Sequence, residues 1–306
     1  MYDKPRKMGD FLILLYYKYT EIKDHEAFAK EHLKFCEALN LKGRVLIAHE
    51  GINGTVSGER ENAEAYMNAL RQDPRFEGIE FKIDPGTEHA FKRLSVKPRK
   101  EIVSLHLEND ISPNELTGTY LEPKEFYQAL QEKDVVIIDA RNDYESDLGK
   151  FRNALVPPVK NFRDLPQWVE ENMENWKGKK ILTYCTGGIR CEKFSGYLKS
   201  KGLKDVSQLH GGIVQYGKDP EVQGKLFDGK CYVFDNRISV DVNHTDDNQI
   251  FSKCIHSGLL TTRYKNCANP SCRPQFFYHE DYAHVYSGCC SKECEEKLLA
   301  LGVTRE

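Results

Sequence analysis

The chain has 306 residues, about twice the usual length of a domain, so two or three domains are expected. Apolar residues make up 40% of the chain and charged residues 30%, which excludes a disordered or collagen-like protein. With 44 Lys and Arg against 47 Asp and Glu, the net charge of −3 neither favours nor excludes a nucleic-acid partner. No apolar run approaches the roughly 20 residues of a bilayer span, so no membrane partner is predicted.

Residues 1–105 are predicted to form a ferredoxin-like α+β sandwich. Apolar or β-rich segments predict strands at 11–17, 44–49 and 79–83, and the spacing of apolar residues predicts helices at 24–40 and 59–71. Glycines 51, 54 and 58 predict a turn or bulge between two short strand pieces. This order of elements suits a small two-layer sandwich. His49 and Glu50 fit either an acid/base pair or a strand end that hydrogen-bonds the turn.

A basic strip follows at residues 90–100, where five cations occur in eleven residues. One interpretation is a solvated connector. The other is a phosphate-binding surface, because Lys and Arg contact nucleic-acid phosphates whatever the base sequence. Residues 106–121 contain Pro113 and Gly118 among polar residues and are predicted to be a linker. The five cations of the strip are Lys92, Arg93, Lys97, Arg99 and Lys100.

Residues 122–225 alternate between strand and helix patterns. The apolar strands at 134–140, 180–184 and 206–209 are typical of a parallel sheet covered on both faces. The pattern predicts one helix before the first of these strands, at 123–130, and two between the strands, at 168–176 and 193–201. We therefore expect an open parallel α/β sheet. Cys185 follows the carboxyl end of a predicted strand, which is where such folds place their chemistry.

The loop Cys185-Thr186-Gly187-Gly188-Ile189-Arg190 has the composition of a site that stabilises negative charge. Small residues allow the backbone N–H groups of residues 186–189 to turn inward as an anion-binding nest. The following helix directs its positive end at the same point, and Arg190 adds a cation. These features favour a thiolate and make Cys185 a candidate nucleophile. The alternative is a buried structural cysteine in a glycine turn.

Cys191 lies six positions beyond Cys185, in the first turn of the predicted helix. As a functional residue it would resolve a persulfide or sulfenate on Cys185 by forming a disulfide. As a structural residue it would fill a small space in the core. Both roles stay open at this point.

The segments around this loop resemble a rhodanese domain. The similarity covers residues 139–145, 149–154, 185–190 and 210–213. Four residues separate Cys185 from Arg190, as in sulfurtransferases, whereas the related phosphatase-like loops have five. The resemblance implies that Cys185 carries a persulfide. It also implies that Asp139, Arg141 and Glu145 form ion pairs that fix the loop.

The last region, residues 226–306, is rich in cysteine. Two close pairs, Cys267 with Cys272 and Cys290 with Cys294, provide the four thiolates that suit a structural tetrahedral zinc. The neighbours Cys254, His256 and Cys289 are alternative ligands. A chain of this length needs no disulfide framework, so a cytoplasmic location is expected, where clustered cysteines indicate metal or catalysis.

Three motifs taken together resemble the bacterial tRNA uridine(34) hydroxylase family. They are Gly51-Ile52-Asn53-Gly54-Thr55-Val56-Ser57-Gly58, Cys185-Thr186-Gly187-Gly188-Ile189-Arg190-Cys191-Glu192 and Asn266-Cys267-Ala268-Asn269-Pro270-Ser271-Cys272. The resemblance implies an enzyme that converts the wobble uridine of tRNA to 5-hydroxyuridine. Its co-substrate would be molecular oxygen, its partner the anticodon region, and its catalytic residues Cys185 and Arg190.

Two alternatives remain beside that interpretation. One is a sulfurtransferase that passes sulfane sulfur through a Cys185 persulfide, and the other is an RNA-binding adaptor whose rhodanese domain is inactive. The intact pair of Cys185 and Arg190 argues against the adaptor. The sequence has no nucleotide-cofactor fingerprint and no set of two His and one carboxylate for iron. It does not predict an oligomeric state.

Overall fold

A computed structural model describes residues 6–272 and 274–301. Its first part is a five-stranded sheet in the order β4-β1-β3-β2-β5, with β5 parallel to β2. This confirms the predicted ferredoxin-like sandwich. Its elements are β1 (Phe11–Tyr19), α1 (His25–Ala38), β2 (Lys42–Ala48), β3 (Gly51–Glu59), α2 (Arg60–Gln72), β4 (Glu80–Gly86) and β5 (Leu94–Pro98).

The two faces of this sheet have different partners. Along β1, Leu12, Leu14 and Tyr16 belong to the core that includes residues of α1 and α2. The alternate residues Leu15 and Tyr17 point to the opposite face, as the two-residue period of a strand requires. That second face is covered by the next part of the chain rather than by solvent.

The glycine-rich segment is a strand and not the predicted turn. Residues 51–59 form β3 in the middle of the sheet, and the turn lies at His49 and Glu50. Glycine is needed in β3 because a Cβ on Gly54 would lie only 2.3 Å from the Tyr16 hydroxyl oxygen. The glycines therefore indicate close packing within the sheet, which local sequence patterns do not distinguish from a turn.

The second part is an open sheet of four parallel strands in the order β6-β10-β9-β7. This confirms the predicted rhodanese-like architecture. The predicted linker carries no helix or strand before Thr119. The elements are β6 (Thr119–Leu121), α3 (Pro123–Ala129), β7 (Val135–Asp139), α4 (Asp143–Ser146), β8 (Gly149–Phe151), α5 (Leu165–Asn172), β9 (Lys180–Tyr184), α6 (Ile189–Ser200), β10 (Val206–Leu209) and α7 (Gly212–Lys218).

The last part begins by extending the second. Strand β11 pairs with β8 on one side and β12 on the other, and Phe227 and Cys231 lie in the same core as residues of the parallel sheet. A hairpin of β13 and β14 and a final helix follow. The elements are β11 (Phe227–Tyr232), β12 (Ser239–Asp241), β13 (Tyr264–Asn266), β14 (Gln275–Phe277) and α8 (Lys292–Ala300). Over the described ranges, every helix is too short or too polar to traverse a lipid bilayer.

A buried lysine fastens the first part of the chain to the second. Lys193 on α6 is fully buried and its Nζ lies 2.7 Å from Glu50, 3.4 Å from Glu101 and 2.9 Å from Asp110. Glu50 also accepts a hydrogen bond of 2.7 Å from the Ile102 N–H. Glu50 thus joins domains, a role that neither sequence interpretation of His49 and Glu50 included.

Candidate active site

Cys185 lies directly after β9, at the carboxyl end of the parallel sheet. Its side chain is 1% exposed, and its Sγ accepts a hydrogen bond of 3.2 Å from the Gly188 N–H. The start of α7 is hydrogen-bonded to the loop, since the Ile213 N–H donates to the Cys185 carbonyl at 3.0 Å. Gly212 has a φ of +69°, and a Cβ there would lie 2.6 Å from that carbonyl oxygen. The glycine pair before Ile213 therefore lets the loop and α7 approach closely.

Arg190 is held in a buried ion pair with Glu145. The two guanidinium nitrogens lie 2.5 and 2.8 Å from the two carboxylate oxygens, and the Glu145 side chain is fully buried. Thr186 Oγ1 lies 3.4 Å from both partners. Burial alone would lower the pKa of Arg190, but the Glu145 carboxylate raises it above its usual range. The implied role of Glu145 in fixing the loop is thus visible in the structure.

The environment of the Cys185 thiol favours its ionised form. Burial raises the pKa of Cys185, but several groups act against it: the Cys191 thiol, the Arg190 guanidinium and the backbone N–H groups of both residues. The net effect lowers the pKa of Cys185 to about 6. A thiolate is the nucleophilic form of cysteine, so these surroundings favour nucleophilic character at Cys185.

The reactivity of Cys185 should depend on pH as this pKa requires. Below pH 6 the thiolate is protonated, so the rate of its modification by methyl methanethiosulfonate should fall about tenfold per pH unit. The reactivity of an unperturbed thiol, with a pKa of about 8.5, would already fall as the pH drops below 8.5. Mass spectrometry of the Cys185 peptide, with Cys185→Ser as the blank, measures the rate. A midpoint near 8.5 would contradict the assignment.

The loop glycines meet two constraints at once. Gly188 has a φ of +101° and caps α6, which begins at Ile189 and not at the predicted residue 193. A Cβ on Gly187 or Gly188 would lie 2.8 Å from Leu15 or 2.9 Å from the Tyr17 hydroxyl, respectively. The loop is therefore shaped both for its own turn and for contact with the sheet of the first domain.

Cys191 lies beside Cys185 in the first turn of α6. Its side chain is fully buried, and its N–H donates to the Gly188 carbonyl at 3.0 Å. Burial and the adjacent Cys185 thiolate raise the pKa of Cys191, so its thiol stays protonated. The protonated thiol stabilises the Cys185 thiolate. Its role as a resolving cysteine stays a prediction.

A cleft of about 310 Å³ lies between the second face of the first sheet and the Cys185 loop. Residues from three parts of the chain line it, and Cys185 is among them. Its apolar and aromatic lining comes from Leu15, Tyr17, Leu46, Phe91, Ile102, Val103, Ile189 and Phe234. Polar groups come from Arg44, Asn53, Thr55, Ser104, Thr186 and Arg190. A largely apolar cleft with a few polar groups and a reactive thiolate is typical of a small-molecule or base-binding site.

The basic strip borders this cleft. Phe91 at one end of the strip and Ile102 beyond its other end both line the cleft. Strand β5 forms the middle of the strip, where Lys97 stands opposite Leu46 in the parallel pairing and so shares the cleft face. All five cations are exposed, and none forms an ion pair with a carboxylate in the described part of the chain. The structure therefore places the strip at the edge of the cleft that contains Cys185.

Sequence patterns missed several residues of the cleft. Arg44 on β2 is exposed, and Phe234 follows β11 with 47% of its surface exposed. Asn53 donates to the Ile102 carbonyl at 2.9 Å and so holds the segment after the strip. The alternation of Asn53 and Thr55 with core residues of β3 could have indicated that both face the cleft. The prediction of a turn at this segment excluded that interpretation.

The four predicted metal ligands lie together in the tail. The Sγ atoms of Cys267, Cys272, Cys290 and Cys294 all lie within 4.8 Å of one another, and two neighbouring pairs are 3.6 Å apart. Tetrahedral zinc with bonds of about 2.3 Å separates its sulfur ligands by about 3.8 Å. The cluster can thus hold a metal ion. In the part of the chain that the structure describes, the three alternative ligands, Cys254, His256 and Cys289, do not belong to this cluster.

Three segments of the chain match known protein families. Residues 11–102 match the UPF0176 acylphosphatase like domain, residues 122–219 the rhodanese-like domain, and residues 228–295 the rhodanase C-terminal family. Among solved structures, a rhodanese-like domain protein from Staphylococcus aureus is 27% identical, with a TM-score of 0.28. That match covers 32% of this chain and 91% of the other.

Curated relatives match nearly the whole chain. A protein of Bacillus licheniformis named tRNA uridine(34) hydroxylase is 60% identical over 94% of this chain and 88% of its own length. A protein of Bacillus cytotoxicus with the same name is 58% identical over 93% of this chain and 87% of its own length.

Proposed function

The chain belongs to the tRNA uridine(34) hydroxylase family, and we propose that it is an enzyme that converts uridine 34 of tRNA to 5-hydroxyuridine with molecular oxygen. One observation carries the proposal. A cysteine that favours the thiolate form lines a largely apolar cleft, and a strip of exposed cations borders that cleft. We place the enzyme in the cytoplasm, together with its tRNA substrate.

The cleft suits a base that has left its stack. Specific RNA recognition acts mostly on single-stranded loops, whose bases can be splayed out into a protein pocket. Cys185 is 1% exposed, so only a group inserted into the cleft reaches its Sγ. Binding of the flanking phosphates by the basic strip would place the anticodon loop over the cleft.

In the proposed reaction Cys185 acts as a nucleophile on the pyrimidine ring. Addition of its thiolate to C6 of uracil forms a carbon–sulfur bond and moves the electron pair of the C5–C6 bond toward C5 and O4. C5 then becomes the electron-rich atom that bonds to oxygen. One oxygen atom enters the base, and the other is reduced to water by two electrons and two protons from an external thiol, which is oxidised to a disulfide. Expulsion of the thiolate and loss of the C5 proton restore the double bond.

Nucleoside analysis tests the substrate and the reaction together. A strain that lacks the gene should lose 5-hydroxyuridine and its derivatives at position 34, and the purified protein should restore 5-hydroxyuridine in that tRNA when oxygen and a thiol reductant are supplied. An anaerobic reaction is the control and should yield none. Unchanged tRNA in a strain without a redundant pathway would sink the proposal.

A sulfurtransferase is the second candidate. The four residues between Cys185 and Arg190 favour it, because the short loop suits the single terminal sulfur of a persulfide. Transfer of sulfur from thiosulfate to cyanide at a rate that exceeds tRNA hydroxylation would favour this function. A hydroxylase without measurable sulfur transfer would exclude it.

We also propose that the strip of Lys92, Arg93, Lys97, Arg99 and Lys100 binds tRNA. Reversing the charges of Arg93 and Lys97 to Glu should weaken binding and reduce the slope of log K against log salt by about 2, since each phosphate contact contributes nearly one unit. Filter binding at several salt concentrations measures both effects. Lys133→Glu, an exposed change before β7 and remote from the carboxyl ends of the strands, is the matched control. Unaltered binding by the double variant would remove the strip from the interface.

We propose that zinc is the metal of the cysteine cluster and that its role is structural, because four thiolates leave no open position. Protein purified without added metal should contain one zinc per chain. Cys290→Ser should lose the metal and lower the melting temperature, because the tail has only a small core of its own. Cys254→Ser, in the same tail but outside the cluster, should keep its zinc. Metal-free wild-type protein would refute the site.

A further inference from the structure

Two aromatic side chains stand in the cleft without an assigned role. Phe91 comes from the segment before β5, and Phe234 comes from the segment after β11. We propose that these two rings hold the extruded base by stacking on it, so that the first domain and the C-terminal region together complete the base pocket. The proposal rests on the proposed function, because it takes a nucleobase as the occupant.

Phe234 is exposed although the backbone around it is firmly held. It is 47% exposed, whereas its neighbour Val233 is buried. Three residues further on, Arg237 lies 2.7 Å from Asp235 and 2.7 Å from Asp84 of β4. An exposed phenyl ring on a fixed segment loses little conformational entropy when a flat group packs on it.

The segments that carry the two rings are joined to each other. The Asn236 N–H donates to the Ala90 carbonyl at 2.9 Å, and the Ala90 N–H donates to Ser57 Oγ at 2.9 Å. Phe91 directly follows Ala90, and Phe234 lies two residues before Asn236. Both rings therefore lie beside one junction between the first domain and the C-terminal region, and both face the cleft that contains Cys185.

A nucleobase fits the chemistry of this position. Stacking of a base on an aromatic ring contributes about 1–3 kcal/mol and is available to any base, because every base has a π face. Tyr17 also lines the cleft, but its hydroxyl already donates to Glu192 at 2.8 Å, whereas the walls formed by Leu15, Leu46 and Ile189 are aliphatic. Stacking would orient the ring plane of the base, and its edge would then meet the polar groups of the cleft.

Variant kinetics test the stacking role. Phe91→Ala and Phe234→Ala should each lower kcat/KM for an anticodon stem-loop RNA by roughly tenfold to a hundredfold. Phe234→Tyr should recover most of the loss, whereas Phe234→Leu, which keeps apolar bulk without a π face, should not. Phe251→Ala, an exposed aromatic of the same region outside the cleft, is the control. Melting temperatures should stay at the wild-type value. Equal activity of the Leu and Tyr variants would overturn the inference.

Photocrosslinking tests the contact without requiring turnover. A stem-loop with 5-iodouridine at position 34, irradiated with the Cys185→Ser variant, should crosslink to the peptide that contains Phe91 or the one that contains Phe234. Crosslinks confined to other peptides would overturn the inference even if the wild-type enzyme hydroxylates tRNA. If the wild-type enzyme forms no 5-hydroxyuridine, the proposed function fails, and the crosslink still decides where the base binds.

Discussion

A Cys185→Ser variant is expected to form no 5-hydroxyuridine while it binds tRNA with the affinity of the wild-type protein. The hydroxyl of serine stays protonated in the surroundings that ionise the Cys185 thiol, so the variant lacks a nucleophile at neutral pH. Loss of a nucleophile lowers the rate by at least about a thousandfold. The substitution leaves the basic strip unchanged, because that strip lies on β5 and its flanks. Mass spectrometry of nucleosides after single-turnover reactions measures the product.

Two controls separate lost chemistry from lost structure. The melting temperature of Cys185→Ser should match that of the wild type, because serine is nearly isosteric and the Gly188 N–H can donate to its hydroxyl. Filter binding should give the same dissociation constant and salt slope. Full hydroxylation by this variant would show that Cys185 is not the nucleophile, and an absence of any activity in the wild type would favour an RNA-binding adaptor.

The elements that the sequence patterns predicted well are those set by local composition. Strand β9 was predicted with the bounds that the structure has, because a run of apolar residues between charged residues has few alternatives. The loop after it follows from one short motif, and the cysteine cluster follows from two close pairs. Cys36 and Cys231, which lie outside the loop motif and the cysteine cluster, are fully buried in two different cores.

The parts that local patterns could not predict depend on contacts between distant segments. Position 54 of β3 requires glycine because the Tyr16 side chain packs against it. From the local sequence, such a glycine cannot be distinguished from a glycine in a turn. Phe234 joins the cleft because its segment is fixed to Asp84 through Arg237 and to Ala90 through Asn236. Arg44 belongs to the cleft because β2 pairs with β5, over a separation of about fifty residues. No pattern within a window of 10 to 20 residues carries such information.

An Arg190→Gln variant is expected to be less stable than the wild type and to have a higher pKa at Cys185. The change removes a cation that lowers the pKa of Cys185 and leaves the Glu145 carboxylate buried without its partner. Breaking a buried ion pair by removing one partner typically costs about 3–5 kcal/mol of the free energy of unfolding. The unpaired negative charge near the loop also opposes the thiolate, so the pKa of Cys185 should rise above 6. Urea denaturation and the pH dependence of thiol modification measure the two effects.

The double variant Glu145→Gln/Arg190→Gln separates these two effects. Removing both charges leaves no uncompensated carboxylate, so most of the lost stability should return, and the difference from the sum of the single variants gives the coupling between the two residues. The acidity of Cys185 should not return, because the guanidinium is still missing. Its thiolate should therefore form at a higher pH than in the wild type, and hydroxylation at pH 7 should stay low. A double variant that regains a Cys185 pKa of about 6 would show that the loop N–H groups and the Cys191 thiol suffice. Arg190 would then serve only to hold the loop through Glu145.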